Sequence, residues 1–228
     1  MLGDMLTERI EIALLLWALL YISDYYLTIW AARLYRMRAS SHIAINGSLE
    51  ITPYFREDID SIRLFSPRFL RVLILSLLLL TFIWIISIRI LGVPSLFRAV
   101  IGGFILLEAT AHMRHVRNIA FMRRISTNEG LKGKIEYPRW LSLEIASVEL
   151  IAFAVVFVIA FVLIHDWFFA GGVVACLLTG LLHLSWSHKE RVGAVATGHG
   201  GTATNPGESS MSVDVTGSPL GQKEADGG

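Results

Sequence analysis

An all-α membrane protein of about five transmembrane helices is the fold this sequence predicts, and three observations predict it. Of its 228 residues, 54% are hydrophobic and only 17% are charged. The apolar residues fall in long runs instead of recurring at amphipathic spacing. Five runs approach or exceed the roughly 20 residues that cross about 30 Å of hydrocarbon. They cover residues 12–32, 69–91, 96–115, 143–164 and 167–186.

Taken in order, the first run is preceded by Asp4, Glu8 and Glu11 instead of a basic segment, and no small-residue cleavage site follows it. It therefore reads as a retained helix and not a secretory leader. Residues 36–68 read as a structured loop. Ile43, Ile45, Leu49 and Ile51 alternate around Asn46-Gly47, the signature of a small β-hairpin. Thr52 offers an N-cap and Pro53 a first helical position for a helix over 54–65. That helix would place Phe55, Ile59 and Ile62 on one side and Glu57, Asp58 and Asp60 in its first turns, and Ser66-Pro67 would end it. Beside Arg63, Arg68 and Arg71 it reads as an interfacial helix facing anionic head groups, or as an ordinary amphipathic connector.

Gly92 and Pro94 separate the second helix from the third. The third meets no breaker until Asn128-Glu129-Gly130 and so should run to about Arg124. The fourth begins near Pro138, and His165-Asp166 is its short connection to the fifth. Gly171-Gly172 and Gly180 suit close helix packing. After Arg191 the composition turns to Gly, Ser, Thr and Pro, which divides the chain into a polytopic domain, 1–191, and a disordered tail, 192–228.

Orientation follows from the basic residues, because cytoplasmic loops hold the excess. Seventeen of the twenty Lys and Arg fall in the first loop, the third loop, their flanks and the tail. Only Arg9, Arg89 and Arg98 fall on the other side. The expected arrangement is N-out and C-in in the cytoplasmic membrane, with the lipid bilayer as the first partner. Because the basic residues track the membrane boundary, they argue against nucleic acid. Cys176 is the sole cysteine, which excludes an intramolecular disulfide and a cysteine zinc site. There is no phosphate-binding glycine loop and no nucleophile elbow.

The candidate functional residues are the ionisable groups inside apolar runs, which cost from roughly 2.5 to over 10 kcal/mol each to keep in hydrocarbon. Glu108, His112 and His115 fall within about 60° of one another on a helix, so a carboxylate and two imidazoles share one face. Such donors suit zinc, iron or manganese, making Glu108, His112 and His115 a candidate set for a divalent metal. Their spacing matches neither the Glu-x-x-His of di-iron bundles nor the His-Glu-x-x-His of zinc peptidases. The alternative is that both histidines are hydrated at the head-group boundary beside Arg114 and Arg117. Asp24 and Glu108 each lie nine residues, roughly 13 Å, from the boundary markers Arg33 and Arg117, so they share a depth. Thr28 continues the polar stripe of Asp24, and Glu149 lies on the fourth span in the same half. An ion, proton or solute site of Asp24, Thr28, Glu108, His112 and Glu149 follows. His183 reads as an interfacial side chain and a lesser candidate.

Asp24-Tyr25-Tyr26-Leu27-Thr28, followed after the basic segment by Glu50-Ile51-Thr52-Pro53, resembles a family of small bacterial multi-pass proteins. Those carry Asp-x-x-x-Thr in a first span and Glu-x-Asn-Pro after it. Thr52 stands where that family has Asn, and the similarity covers the first quarter of the chain. It implies no established chemistry and adds Glu50 to the candidates.

Three function classes stay open at this point. The first is a membrane protein that binds or moves an ion, a proton or a small solute through an inward-facing site. The second is a metal-dependent enzyme acting on a lipid, with Asp24 as base. The third is a non-catalytic subunit whose buried charges bind another membrane protein. Five spans in a chain this short favour a homo-oligomer or a membrane partner.

Overall fold

The computed structural model describes residues 2–45, 52, 54–125, 133 and 135–198. Five of its helices are long and apolar enough to cross a membrane. A short α1 (Leu2–Glu8) leads into α2 (Ile10–Leu34), whose last turn widens into a π-helical segment, Tyr35–Ala39. After β1 (Ile43–Ile45) and a single turn of helix, α3 (Arg56–Asp60), the chain enters α4 (Pro67–Trp84). Ser66 caps α4 by accepting from the Phe69 amide, and Pro67 takes the first position, where no amide hydrogen is needed. A second π-helical segment, Ile85–Ile90, ends at Gly92, whose φ of +65° turns the chain into α5 (Pro94–Ile125).

Strand β2 (Ile135–Tyr137) precedes α6 (Arg139–Ile164) and α7 (Trp167–Gly198). The last two form a tight helical hairpin. His165 takes the left-handed conformation that closes α6, and Asp166 Oδ1 accepts from the Phe168 amide to start α7. At the other end of this hairpin Ser187 donates to the Trp140 carbonyl and Arg139 pairs with Glu190. Helix α7 continues to Gly198, seven residues into the segment that composition assigns to the tail. Residues 199–228 lie outside the described set.

The core gathers Leu6, Trp17, Leu80, Phe97, Ile101 and Phe168, joining α1, α2, α4, α5 and α7. Trp17 and Trp84 satisfy their indole N–H groups on Ser76 Oγ and the Thr7 carbonyl, at 2.8 and 2.9 Å. The outward faces of α4 and α6 leave Leu75, Leu78, Phe82, Val155, Ile159 and Leu163 exposed. Apolar surface of that extent fits a lipid solvent.

Two features of the first loop differ from expectation. Strand β1 pairs in parallel with β2, Ile43 opposite Ile135, so its described partner comes from the third loop. The expected turn and return strand, 46–51, lie outside the described residues, as does Glu50. The helix expected over 54–65 is a single turn, because Ile62 takes a φ of +52° and stops it. Its apolar side is nonetheless used: Phe55, Ile59 and Ile62 pack on Tyr25, Ile29, Ala32 and Phe69. Arg63 and Arg68 face Glu57 and Asp58 at 2.8–3.6 Å instead of standing free for head groups.

Candidate functional site

Helices α2 and α5 lie side by side, and their contact joins the polar stripe of one to that of the other. Asp24 on α2 and Glu108 and His112 on α5 offer ligand atoms that all lie within 4.8 Å of one another. The shared depth inferred from the sequence thus corresponds to a shared place. A helix face explains why His112 follows Glu108: four residues bring the side chains one above the other.

His112 is held at both ring nitrogens. Its Nδ1 lies 2.7 Å from the Glu108 carbonyl oxygen and its Nε2 lies 2.7 Å from Ser23 Oγ. A carbonyl only accepts, so Nδ1 carries the hydrogen, and in the neutral form of the ring the lone pair is on Nε2. The Ser23 hydroxyl, which also reaches the Leu20 carbonyl at 2.9 Å, has one hydrogen to share between these two acceptors.

His115 is a neighbour of this group and not one of its converging ligands. Its Nε2 lies 3.0 Å from Asp24 Oδ1 and 3.2 Å from Thr28 Oγ1. The candidate metal set of Glu108, His112 and His115 is corrected accordingly: Asp24 takes the place of His115, because the opposing helix decides which groups on a 60° face converge. Neither histidine sits loosely at a boundary, since both engage side chains of α2.

Two buried oxygens stand out. Glu108 Oε2 has no hydrogen-bond partner among the described residues. Asp24 Oδ1 is within ion-pair distance of His115, yet no donor points at it with hydrogen-bond geometry. Unmet carboxylate oxygens in a buried site call for a cation, a proton or water.

Asp24, Glu108 and His115 line one wall of a cavity of about 220 Å³ that continues past Arg114, Asn118 and Thr179 to His183. His183 is 6% exposed, lines this cavity and packs against Trp186. Its Nδ1 is buried without a partner among the described residues.

Glu149 does not belong to the site. It accepts from Arg114 Nε at 2.9 Å and Arg117 Nη1 at 2.8 Å, forming a clasp between α5 and α6. Thr28 does line the cavity, its hydroxyl within reach of both the Asp24 carbonyl and His115. Ser23 was not a candidate from sequence; adjacency to Asp24 was its only signal. No family model, curated protein or solved structure matches this chain.

Proposed function

We propose that this is a multi-pass protein of the cytoplasmic membrane, N-out and C-in, that binds a small cation, the proton included, between α2 and α5. It exchanges that cation with the cytoplasmic side. The observation that carries the reading is the convergence of Asp24, Glu108 and His112 within 4.8 Å. All three offer acceptor atoms there, and Glu108 Oε2 is buried without a donor among the described residues. A site of this polarity selects positive charge. Arg114, the nearest strong cation of the cavity wall, is already held by Glu149. The orientation rests on the seventeen-to-three division of basic residues. It puts the cavity in the half of the bundle that adjoins the cytoplasm.

Reconstituted proteoliposomes carrying trapped pH- and divalent-cation-reporting dyes test the reading. Wild-type protein and the exposed control Glu11→Gln should pass a cation signal, and Asp24→Asn and Glu108→Gln should lose most of it. Equal signals from all four, or none above empty vesicles for any cation tried, would remove it. The topology is checked separately with Cys176 replaced. A His165→Cys variant should label from outside intact cells and an Asn46→Cys variant should not; the reverse pattern overturns the orientation.

A further inference from the structure

The donor set narrows the choice of cation, an inference that rests on the cation-binding reading above. We infer that Asp24, Glu108 and His112 form a mononuclear site for a first-row divalent transition metal of the manganese, iron and zinc class.

Geometry is the first support. Oxygen and nitrogen ligands stand about 2.0–2.2 Å from such an ion, so atoms sharing it lie roughly 3.3–4.4 Å apart. The three ligand atoms already lie within 4.8 Å on two neighbouring helices, so side-chain rotamer adjustment could close the set.

The tautomer of His112 is the second. A metal-binding imidazole almost always donates its other N–H to a carbonyl or carboxylate, and the Glu108 carbonyl receives Nδ1–H here. Nε2 is left to face the site. Ser23 occupies that position and can turn towards Leu20 when an ion enters. Asp24 has an outer partner of its own in His115, at 3.0 Å.

Charge is the third. Acting together as ligands, two carboxylates and an imidazole would contribute two negative charges, which a divalent ion cancels and a monovalent ion does not. Cancellation matters most where water is scarce. The imidazole argues against magnesium and calcium, which prefer oxygen donors alone. Asp24 and Glu108 line the cavity, which has room beside them for water or an anionic co-ligand.

The test uses the full chain in mild detergent, stripped with a chelator and titrated with Co²⁺, Zn²⁺, Mn²⁺ and, for contrast, Mg²⁺. One equivalent of Co²⁺ should bind with the visible bands of a nitrogen- and oxygen-ligated ion, and Mg²⁺ should not compete. Asp24→Asn, Glu108→Gln and His112→Gln should each weaken binding by about a hundredfold or more, and His115→Gln by about tenfold, as loss of an outer partner does. A measurement on wild-type protein guards against misfolded variants: Zn²⁺ should protect His112 from acylation by diethyl pyrocarbonate, read by peptide mass spectrometry. The inference falls if no transition ion binds, if His112→Gln binds as wild type does, or if Mg²⁺ matches Co²⁺. A chain that binds no transition metal but still passes another cation in vesicles, sensitively to Glu108→Gln, would overturn the metal and leave the cation reading standing. Loss of both signals would remove both.

Discussion

Replacing Gly171 by alanine should separate α5 from α7, two of the helices that line the cavity. A Cβ at position 171 would stand 1.7 Å from the Ala99 carbonyl oxygen and 2.8 Å from the Gly103 amide nitrogen. Both are backbone atoms of α5, so no side-chain rotation relieves the clash. Gly102 presents the reciprocal contact, 2.0 Å from the Phe168 carbonyl oxygen. Restoring ordinary contact requires α5 and α7 to part by well over 1 Å, and overpacking of a tight interface costs about 1–3 kcal/mol or more. At roughly 2–4 °C per kcal/mol for a chain of this size, the upper figure corresponds to a fall of about 6–12 °C in melting temperature. Gly180→Ala is the control, because its Cβ would meet Ile151, Ser147 and Leu150 at 3.3–3.5 Å. Both substitutions change helix propensity equally, by about 1 kcal/mol in alanine's favour, so the difference between them isolates the clash. Tryptophan fluorescence of detergent-purified protein at one fixed scan rate reads that difference. If Gly171→Ala melts within about 2 °C of Gly180→Ala, the backbones do not touch there and the packing that brings His183 to the cavity is wrong.

Two further substitutions probe the supports around the site. Glu149→Gln leaves Arg114, mostly buried, without its carboxylate. It should cost about 2–3 kcal/mol, discounted from the 3–5 of a fully buried pair because Arg117 is half exposed. It should also weaken cation binding, since Arg114 lines the cavity; wild-type melting and wild-type Co²⁺ affinity together would count against the clasp. Asp58→Ala removes a carboxylate only 1% exposed that accepts from Ser66 Oγ at 2.6 Å and Arg63 at 3.2 Å. A loss of about 2–4 kcal/mol and faster protease cutting before α4 are expected, and unchanged cutting would show that this contact does not hold the loop.

The spans were legible because hydropathy, length and breakers act locally. Gly92 and Pro94 and His165-Asp166 stand at the junctions they predicted, Ser66-Pro67 starts α4 instead of ending the helix before it, and α5 runs to Ile125. What needed a second helix was not legible. The apolar side of α3 could be read from Phe55, Ile59 and Ile62, but its acceptor, the Tyr25, Ile29 and Ala32 face, could not. The parallel pairing of β1 with β2 joins segments some ninety residues apart, beyond any local pattern. For the site, counting residues from a common boundary was enough to level Asp24 with Glu108. Glu149, assigned to the same half of the fourth span, is instead engaged by two guanidinium groups on α5.

A structural explanation of the buried charges can be weighed directly against a binding one. Two ionised carboxylates within 4.8 Å would repel by about 3.5 kcal/mol or more at an effective dielectric constant of 20, so a cation, or a proton on one of them, is needed to offset it. His115 beside Asp24 supplies a local partner, and with Thr28 it would suffice for a structural role of that residue alone. It does nothing for Glu108, whose Oε2 is buried without a donor among the described residues and whose own carbonyl is already engaged with His112. Pairing within the chain therefore accounts for one acid of the two. The second acid is what the proposed cation, the proton included, would satisfy.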